Sequence, residues 1–174
     1  LKAGVGTIEH GAPLTDELLK LFKKNGLGNA SSLTCTLSPA LPFAVLSPEK
    51  THSTHVQKVN GRVVYEGVAT ATRQALASGI PVGLGTDSAC PFVTHYDMWR
   101  EVVYFQRHTG VTPDFALHTA TLKNAQLLGV ANETGSIETG KSADFIVLDV
   151  NPLDDLCALR NIEQVYMAGK PVKY

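Results

Sequence analysis

Two polar residues, His10 and Asp87, stand where β-leaning segments of the sequence end. His10 follows residues 5–9, and Asp87 follows residues 80–85. Ligands of parallel α/β folds gather beyond the carboxyl ends of the strands, so an imidazole and a carboxylate there would converge on one metal ion or one water. Each residue also has a structural interpretation: a hydrogen-bonded histidine at a strand end, and an aspartate that caps a loop or helix.

His95 is a third candidate, for substrate binding, because it follows Asp87 closely in the same strand-end region. Its alternative role is to start the next helix.

His52 and His55 have i, i+3 spacing, but the prolines around them favour a solvated loop, with a lid over a site as the alternative. The segment GLGTDS at residues 83–88 lacks the third glycine of a dinucleotide-binding motif, which leaves a phosphate cradle as the less favoured interpretation.

The elements that must position these residues follow from periodicity and capping. Strands are predicted at residues 5–9, 32–37 and 80–85, and helices at 15–26, 68–78, 96–108, from 113, and at 122–128. The first helix has Thr15 as its cap and Gly26 as its stop. Residues 38–61 show no clean period. This alternation predicts an α/β fold with a parallel sheet and right-handed crossovers.

The pattern changes to strands after Gly135. Short strands are predicted at residues 136–138, 145–149 and 162–167, with a last one at Val172. We therefore expect two units: residues 1–134, which hold the parallel sheet, and residues 135–174, which form a small β unit.

Composition excludes several classes of function. The chain has 174 residues and a formal net charge of −1, which argues against a basic nucleic-acid-binding surface. No apolar run approaches the roughly 18 residues that span a bilayer, so no membrane partner is expected. The three cysteines form no C-x-x-C pair, which favours a reducing, cytoplasmic location over a disulfide framework. The first residues, LKAG, do not have the pattern of a signal peptide.

Four motifs in order resemble the amidohydrolase superfamily, in its imidazolonepropionase and prolidase-like branch. GVGTIEHG at residues 4–11 resembles the family's sixth-strand segment, and GIPVGLGTD at 79–87 resembles the eighth strand with its metal-binding aspartate. ATLKNA at 120–125 is similar to the helix after the barrel, and GSIETGKSADFIVL at 135–148 to the closing β-subdomain. The resemblance covers nearly the whole chain and is poorest at residues 39–67.

The resemblance implies the C-terminal part of a (β/α)₈ TIM-like barrel, with residues 135–174 contributing to a composite β-subdomain. It implies a divalent metal, zinc by preference, at the carboxyl ends of the strands. Asp87 inherits the role of metal ligand and proton acceptor from the attacking water. His10 inherits metal binding or the positioning of water or substrate.

The implied activity is hydrolysis of a C–N bond in an amide or cyclic amide, with a small molecule or dipeptide as substrate. The family's first-strand His-x-His pair has no counterpart in this sequence. The chain is therefore expected to need a missing N-terminal barrel half or a partner chain, and to be a homo-oligomer. The alternative is a non-catalytic α/β chain that binds or scaffolds without a complete metal site.

Overall fold

The computed structural model describes residues 1–24 and 31–173. Its strands, in chain order, are β1 (Thr7–Glu9), β2 (Ser32–Cys35), β3 (Val82–Leu84), β4 (Phe145–Leu148), β5 (Ile162–Met167) and β6 (Lys170–Pro171). Its α-helices are α1 (Asp16–Lys23), α2 (Leu41–Val45), α3 (Pro48–Thr51), α4 (His55–Ala77), α5 (Met98–Thr109), α6 (Pro113–His118) and α7 (Asn124–Leu127). A π-helical turn, Thr119–Lys123, joins α6 to α7, and a 3₁₀ turn, Leu156–Arg160, precedes β5.

The first sheet is parallel, with the strand order β1-β2-β3. Its central strand is buried most deeply: Leu33 and Cys35 are fully buried, as is Leu37 just beyond the strand. Val82 and Leu84 of β3 are also buried. Strands buried on both faces are typical of parallel sheets covered by helices. The predicted α/β fold with a parallel sheet is thus confirmed.

Helix α1 shows how the sequence sets an element's start. Thr15 has extended backbone and accepts a hydrogen bond from the Leu18 amide through its hydroxyl, as an N-cap does. Asp16 and Glu17 lie in the first turn, where a carboxylate complements the helix dipole. The predicted stop at Gly26 lies outside the described residues.

Helix α4 corrects the prediction for residues 38–61, which contain no long irregular loop. Two short helices, α2 and α3, occupy this stretch, and α4 already begins at His55. A capping box starts it: the Thr54 hydroxyl accepts from the Gln57 amide, and the Gln57 side chain accepts from the Thr54 amide. The helix was missed although its first turns carry valines at i, i+3, i+7 and i+8 spacing, which are exposed in the structure: Val56, Val59, Val63 and Val64.

The C-terminal strands form a second sheet, which is antiparallel with the order β4-β5-β6. The predicted strand at residues 136–138 was wrong. Gly135 adopts a left-handed conformation with φ of 94°, and Ser136 donates to the carboxylate of Glu138 at 2.5 Å. Lys141 then donates to the Ser136 hydroxyl at 2.6 Å, so these polar side chains satisfy each other within a turn instead of lining a strand.

The side chain of Asn124, at the start of α7, pairs with the backbone of β3. Its Oδ1 accepts from the Leu84 amide at 2.9 Å, and its Nδ2 donates to the Leu84 carbonyl at 2.9 Å. This close approach requires a glycine nearby, because a Cβ at Gly83 would lie 2.9 Å from Asn124 Oδ1. One amide side chain therefore takes the place of a neighbouring strand at this point.

Strand β1 is an edge strand in the part of the chain that the structure describes. Beside it, an apolar groove of about 540 Å³ opens towards α1 and is lined by Ile8, Leu14, Leu18 and other residues. A free strand edge beside apolar surface invites pairing with another chain.

Within residues 1–24 and 31–173, no helix combines the length and apolar character that crossing a membrane requires.

We expect the isolated chain to associate through the β1 edge. Sedimentation at increasing protein concentration should show oligomers or aggregates, because the backbone groups of β1 and the adjoining groove lack a neighbouring strand. A compact monomer that persists at high concentration would contradict this expectation. A variant with a charge on the groove, Leu18→Lys, is the matched control, and it should shift the distribution towards monomer.

Candidate functional site

His10 and Asp87 follow the two outer strands of the parallel sheet, and both segments are held by the central strand. The His10 amide donates to the carbonyl of Thr34 at 3.0 Å. On the other side, the amide of Gly85, two residues before Asp87, donates to the carbonyl of Cys35 at 3.0 Å. Because the three strands are parallel, these two residues emerge at the same edge of the sheet, across the end of β2.

The two side chains meet at that edge. His10 Nε2 lies 3.2 Å from Asp87 Oδ2, and the side chains are 42% and 46% exposed. The contact is a hydrogen bond when His10 is neutral and an ion pair when it is protonated. The structure thus brings together the two residues that the sequence analysis expected to converge, in a position that solvent or a ligand can reach.

Both residues adopt the left-handed backbone conformation, with φ of 61° for His10 and 50° for Asp87. Ala89 and Phe92, in the loop after β3, have positive φ values as well. Non-glycine residues in this region cost about 1–3 kcal/mol each and cluster at functional sites. The strain lets each chain segment turn sharply at its strand end, so that both side chains face each other over β2.

The pair has the donor chemistry of a zinc site. Zinc takes imidazole nitrogen and carboxylate oxygen as ligands, and two donor atoms bound at about 2.0–2.1 Å in a tetrahedron lie roughly 3.3 Å apart. The observed separation of 3.2 Å between His10 Nε2 and Asp87 Oδ2 fits that arrangement. Among residues 1–24 and 31–173, no cluster of three or more His, Cys, Asp or Glu side chains forms a complete site.

Three other candidate histidines, His52, His55 and His95, are exposed. His95 is exposed on the loop between Asp87 and α5, where its predicted contact with substrate stays a prediction. His52 and His55 are also exposed. They do not lie in a loop as expected: His52 ends α3 in a left-handed conformation, and His55 is the first residue of α4.

Glu101 is a buried acidic residue beside the site that sequence reasoning missed. Its side chain is fully buried, and its carboxylate accepts from the amides of Leu37 at 2.7 Å and Ser38 at 2.8 Å and from the Ser38 hydroxyl at 2.5 Å. Burial raises the pKa of Glu101 to about 7, the charge of Asp87 adds to the rise, and the three donated hydrogen bonds oppose it.

A signal for Glu101 was present in the sequence. Met98, Glu101, Val102 and Phe105 have i, i+3, i+4, i+7 spacing, so an acidic residue occupies the inward stripe of α5. A carboxylate placed in such a stripe must find buried donors. Here the donors come from the residues that directly continue β2.

Comparison with known proteins gives the context for this geometry. The profile of the Amidohydrolase family matches residues 2–172. A crystal structure of a presumed prolidase from Bifidobacterium longum superposes with a TM-score of 0.93 at 46% identity, over 98% of this chain and 42% of that one. A Xaa-Pro dipeptidase with bound methionine in its active site gives a TM-score of 0.81 at 29% identity, over 99% of this chain and 41% of that one.

An imidazolonepropionase from Thermoplasma acidophilum is 33% identical over 95 residues, which are 55% of this chain and 23% of that protein. The chain thus spans about two fifths of the solved structures it matches, and the alignment with this curated relative takes in about a quarter of the relative's length.

Proposed function

Because the chain belongs to the amidohydrolase family, we propose that it forms part of a metal-dependent hydrolase of C–N bonds in amides or cyclic amides. The observation that carries the proposal is the contact between His10 Nε2 and Asp87 Oδ2 at the carboxyl end of the parallel sheet. This is the position at which α/β barrels carry their active sites. The left-handed backbone of both residues supports a functional over a purely structural role.

The similarity favours a prolidase-like substrate over an imidazolonepropionase-like one. One prolidase-type structure is 46% identical over 98% of this chain, whereas the imidazolonepropionase is 33% identical over 55% of it. We therefore propose that the substrate is a dipeptide or an N-acylated amino acid. His95 is proposed to contact that substrate, because its side chain is exposed and its loop begins at the strand end that carries Asp87.

We further propose that β1, β2 and β3 are the last three strands of a (β/α)₈ barrel within residues 1–134. The remaining strands would come from the rest of a longer chain or from a partner chain. The parallel order β1-β2-β3 with helices between the strands supports this arrangement. The antiparallel strands of residues 135–174 are proposed to belong to a separate β-subdomain.

His10 and Asp87 would hold the divalent metal together with ligands from the missing part. When bound, the metal lowers the pKa of the attacking water and polarises the scissile carbonyl. Asp87 then accepts a proton from that water through its carboxylate and returns it to the departing nitrogen. Because Nε2 of His10 would bind the metal through its lone pair, it could not also donate a hydrogen bond to Asp87, so His10 would act as a ligand and not as the group that orients the proton acceptor.

The test of this function uses the complete enzyme, either the full-length protein or the chain with its partner. Xaa-Pro dipeptides, N-acyl amino acids and a cyclic amide are assayed in parallel, with metal content measured before and after chelation. We expect turnover of the first two classes, loss of turnover on chelation and recovery with zinc. A protein that binds these compounds without hydrolysing any of them would support the non-catalytic alternative.

We predict that the chain alone does not retain zinc. His10 and Asp87 supply two donors, whereas catalytic zinc sites have three protein ligands and a water. After zinc loading and dialysis, elemental analysis should find far less than one zinc per chain, and His10→Ala is the baseline control. Stoichiometric zinc would contradict this prediction and would point to His52, His55 or His95 as further ligands.

A further inference from the structure

We propose that Glu101 is a positioning residue of the site, which holds the end of β2 in place between His10 and Asp87. This inference rests on the proposed function, since it concerns the same site. It assigns a task to a buried carboxylate that the hydrolytic step itself does not use.

The end of β2 lies between the chain segments that carry His10 and Asp87. The His10 amide donates to the Thr34 carbonyl, and the Gly85 amide donates to the Cys35 carbonyl. The last residues of β2 therefore set the distance between the segments that carry His10 and Asp87. Any movement of that strand end changes the separation between His10 Nε2 and Asp87 Oδ2, which is now 3.2 Å. The chain just beyond β2 therefore needs an anchor.

Glu101 provides this anchor from a different element, helix α5. The chain leaves β3 after Leu84, passes through Asp87 and enters α5 at Met98, and α5 brings Glu101 back to the end of β2. The carboxylate accepts hydrogen bonds from two successive backbone amides, those of Leu37 and Ser38, and from the Ser38 hydroxyl. When Glu101 is ionised these hydrogen bonds are charge-assisted, and such bonds are stronger than neutral ones.

Both carboxylate oxygens of Glu101 are needed to accept these hydrogen bonds. Oε1 accepts from Leu37, and Oε2 accepts from the amide and hydroxyl of Ser38. A glutamine has one acceptor oxygen and one donor NH₂, so it must leave a buried amide facing another donor. We call the hydrogen bonds from Leu37 and Ser38 to the Glu101 carboxylate the clamp. Replacing Glu101 by Gln keeps the size of the side chain and breaks the clamp on one side.

The experiment compares Glu101→Gln with Val103→Ala in the complete enzyme. Val103 is also buried on α5, and its truncation loosens the core without removing a hydrogen bond from the Leu37 or Ser38 amide. We expect Glu101→Gln to lower kcat at least about tenfold with little change in KM, and Val103→Ala to leave kcat near wild type at the same folded fraction. Equal kcat values for the two variants would overturn the proposal.

Two further readouts keep the test decisive. Hydrogen exchange at the Leu37 and Ser38 amides should speed up in Glu101→Gln and not in Val103→Ala, and unchanged exchange would overturn the proposal regardless of activity. Should Glu101→Gln fail to fold, Ser38→Ala removes only the hydroxyl donor, and a wild-type kcat in that variant would count against the clamp. A wild-type enzyme that hydrolyses none of the test substrates refutes the proposed function, while the exchange comparison still decides on the clamp.

Discussion

Replacing Asp87 by Asn is expected to lower the turnover of the complete enzyme at least about a hundredfold, with little change in melting temperature. The amide has nearly the same volume as the carboxylate, and the side chain is half exposed, so packing should survive. The charge is lost, and with it an anionic metal ligand and the proton acceptor for water. General acid–base catalysis alone contributes typically 10²–10⁴-fold, and a weaker metal site adds to the loss.

The matched control is Asp114→Asn. Asp114 lies in the first turn of α6, where hydrogen bonding from Thr112 lowers the pKa of its exposed carboxyl. Its removal should leave turnover nearly unchanged, because it acts on the start of a helix away from the site. Kinetics of both variants, with metal content determined on the same samples, make the comparison. Near-wild-type turnover in Asp87→Asn would refute the assignment of Asp87 and the reaction built on it.

A Gly61→Ala substitution is expected to destabilise the fold by roughly 1–3 kcal/mol. Gly61 lies in α4, and a Cβ there would come within 2.4 Å of Phe43 Cβ and 3.2 Å of the Ala40 carbonyl oxygen. Ala40 is the N-cap residue of α2, and the Phe43 Cβ is attached directly to the α2 backbone, so neither atom can yield as the end of a long side chain would. The two helices must therefore separate, which outweighs the gain in helix propensity.

Gly67→Ala in the same helix should have the opposite sign. The nearest atom to its added Cβ is Pro13 Cδ at 3.6 Å, an ordinary contact. Alanine in a helix interior is favoured over glycine by roughly 0.5–1 kcal/mol, so this variant should be at least as stable as wild type. Denaturant unfolding of the two variants measures both effects. If both substitutions stabilised the protein, the close packing of α2 on α4 would be disproved.

Much of the fold could be predicted because its signals are local. The three parallel strands and the antiparallel pair near the C-terminus show short apolar segments bounded by turn residues, and β5 was predicted with the bounds it has. The convergence of His10 and Asp87 followed from topology alone, since parallel strands end at one edge of a sheet.

The features that were missed depend on tertiary structure. The first half of α4 carries valines at helical spacing, among them Val56 and Val63, but they face solvent, so this apolar stripe has no core partner in the described structure. Glu101 was missed because its partners, Leu37 and Ser38, are more than sixty residues away in sequence. The apolar stripe of α5 indicates that Glu101 is buried, but a single sequence does not identify the donors that its carboxylate contacts.

The amide of Asn124 gives the open parallel sheet two unlike sides. At β3 the outward backbone groups of Leu84 are already occupied, whereas in the described residues β1 has no strand beyond it. A sheet with two available edges can add neighbours without limit and grow into a fibre. In the isolated chain this asymmetry leaves β1 as the open edge of the described residues, so two copies that meet there would form a symmetric pair, whereas in the proposed barrel the strand next to β3 would have to pair beyond the Leu84 groups that Asn124 occupies.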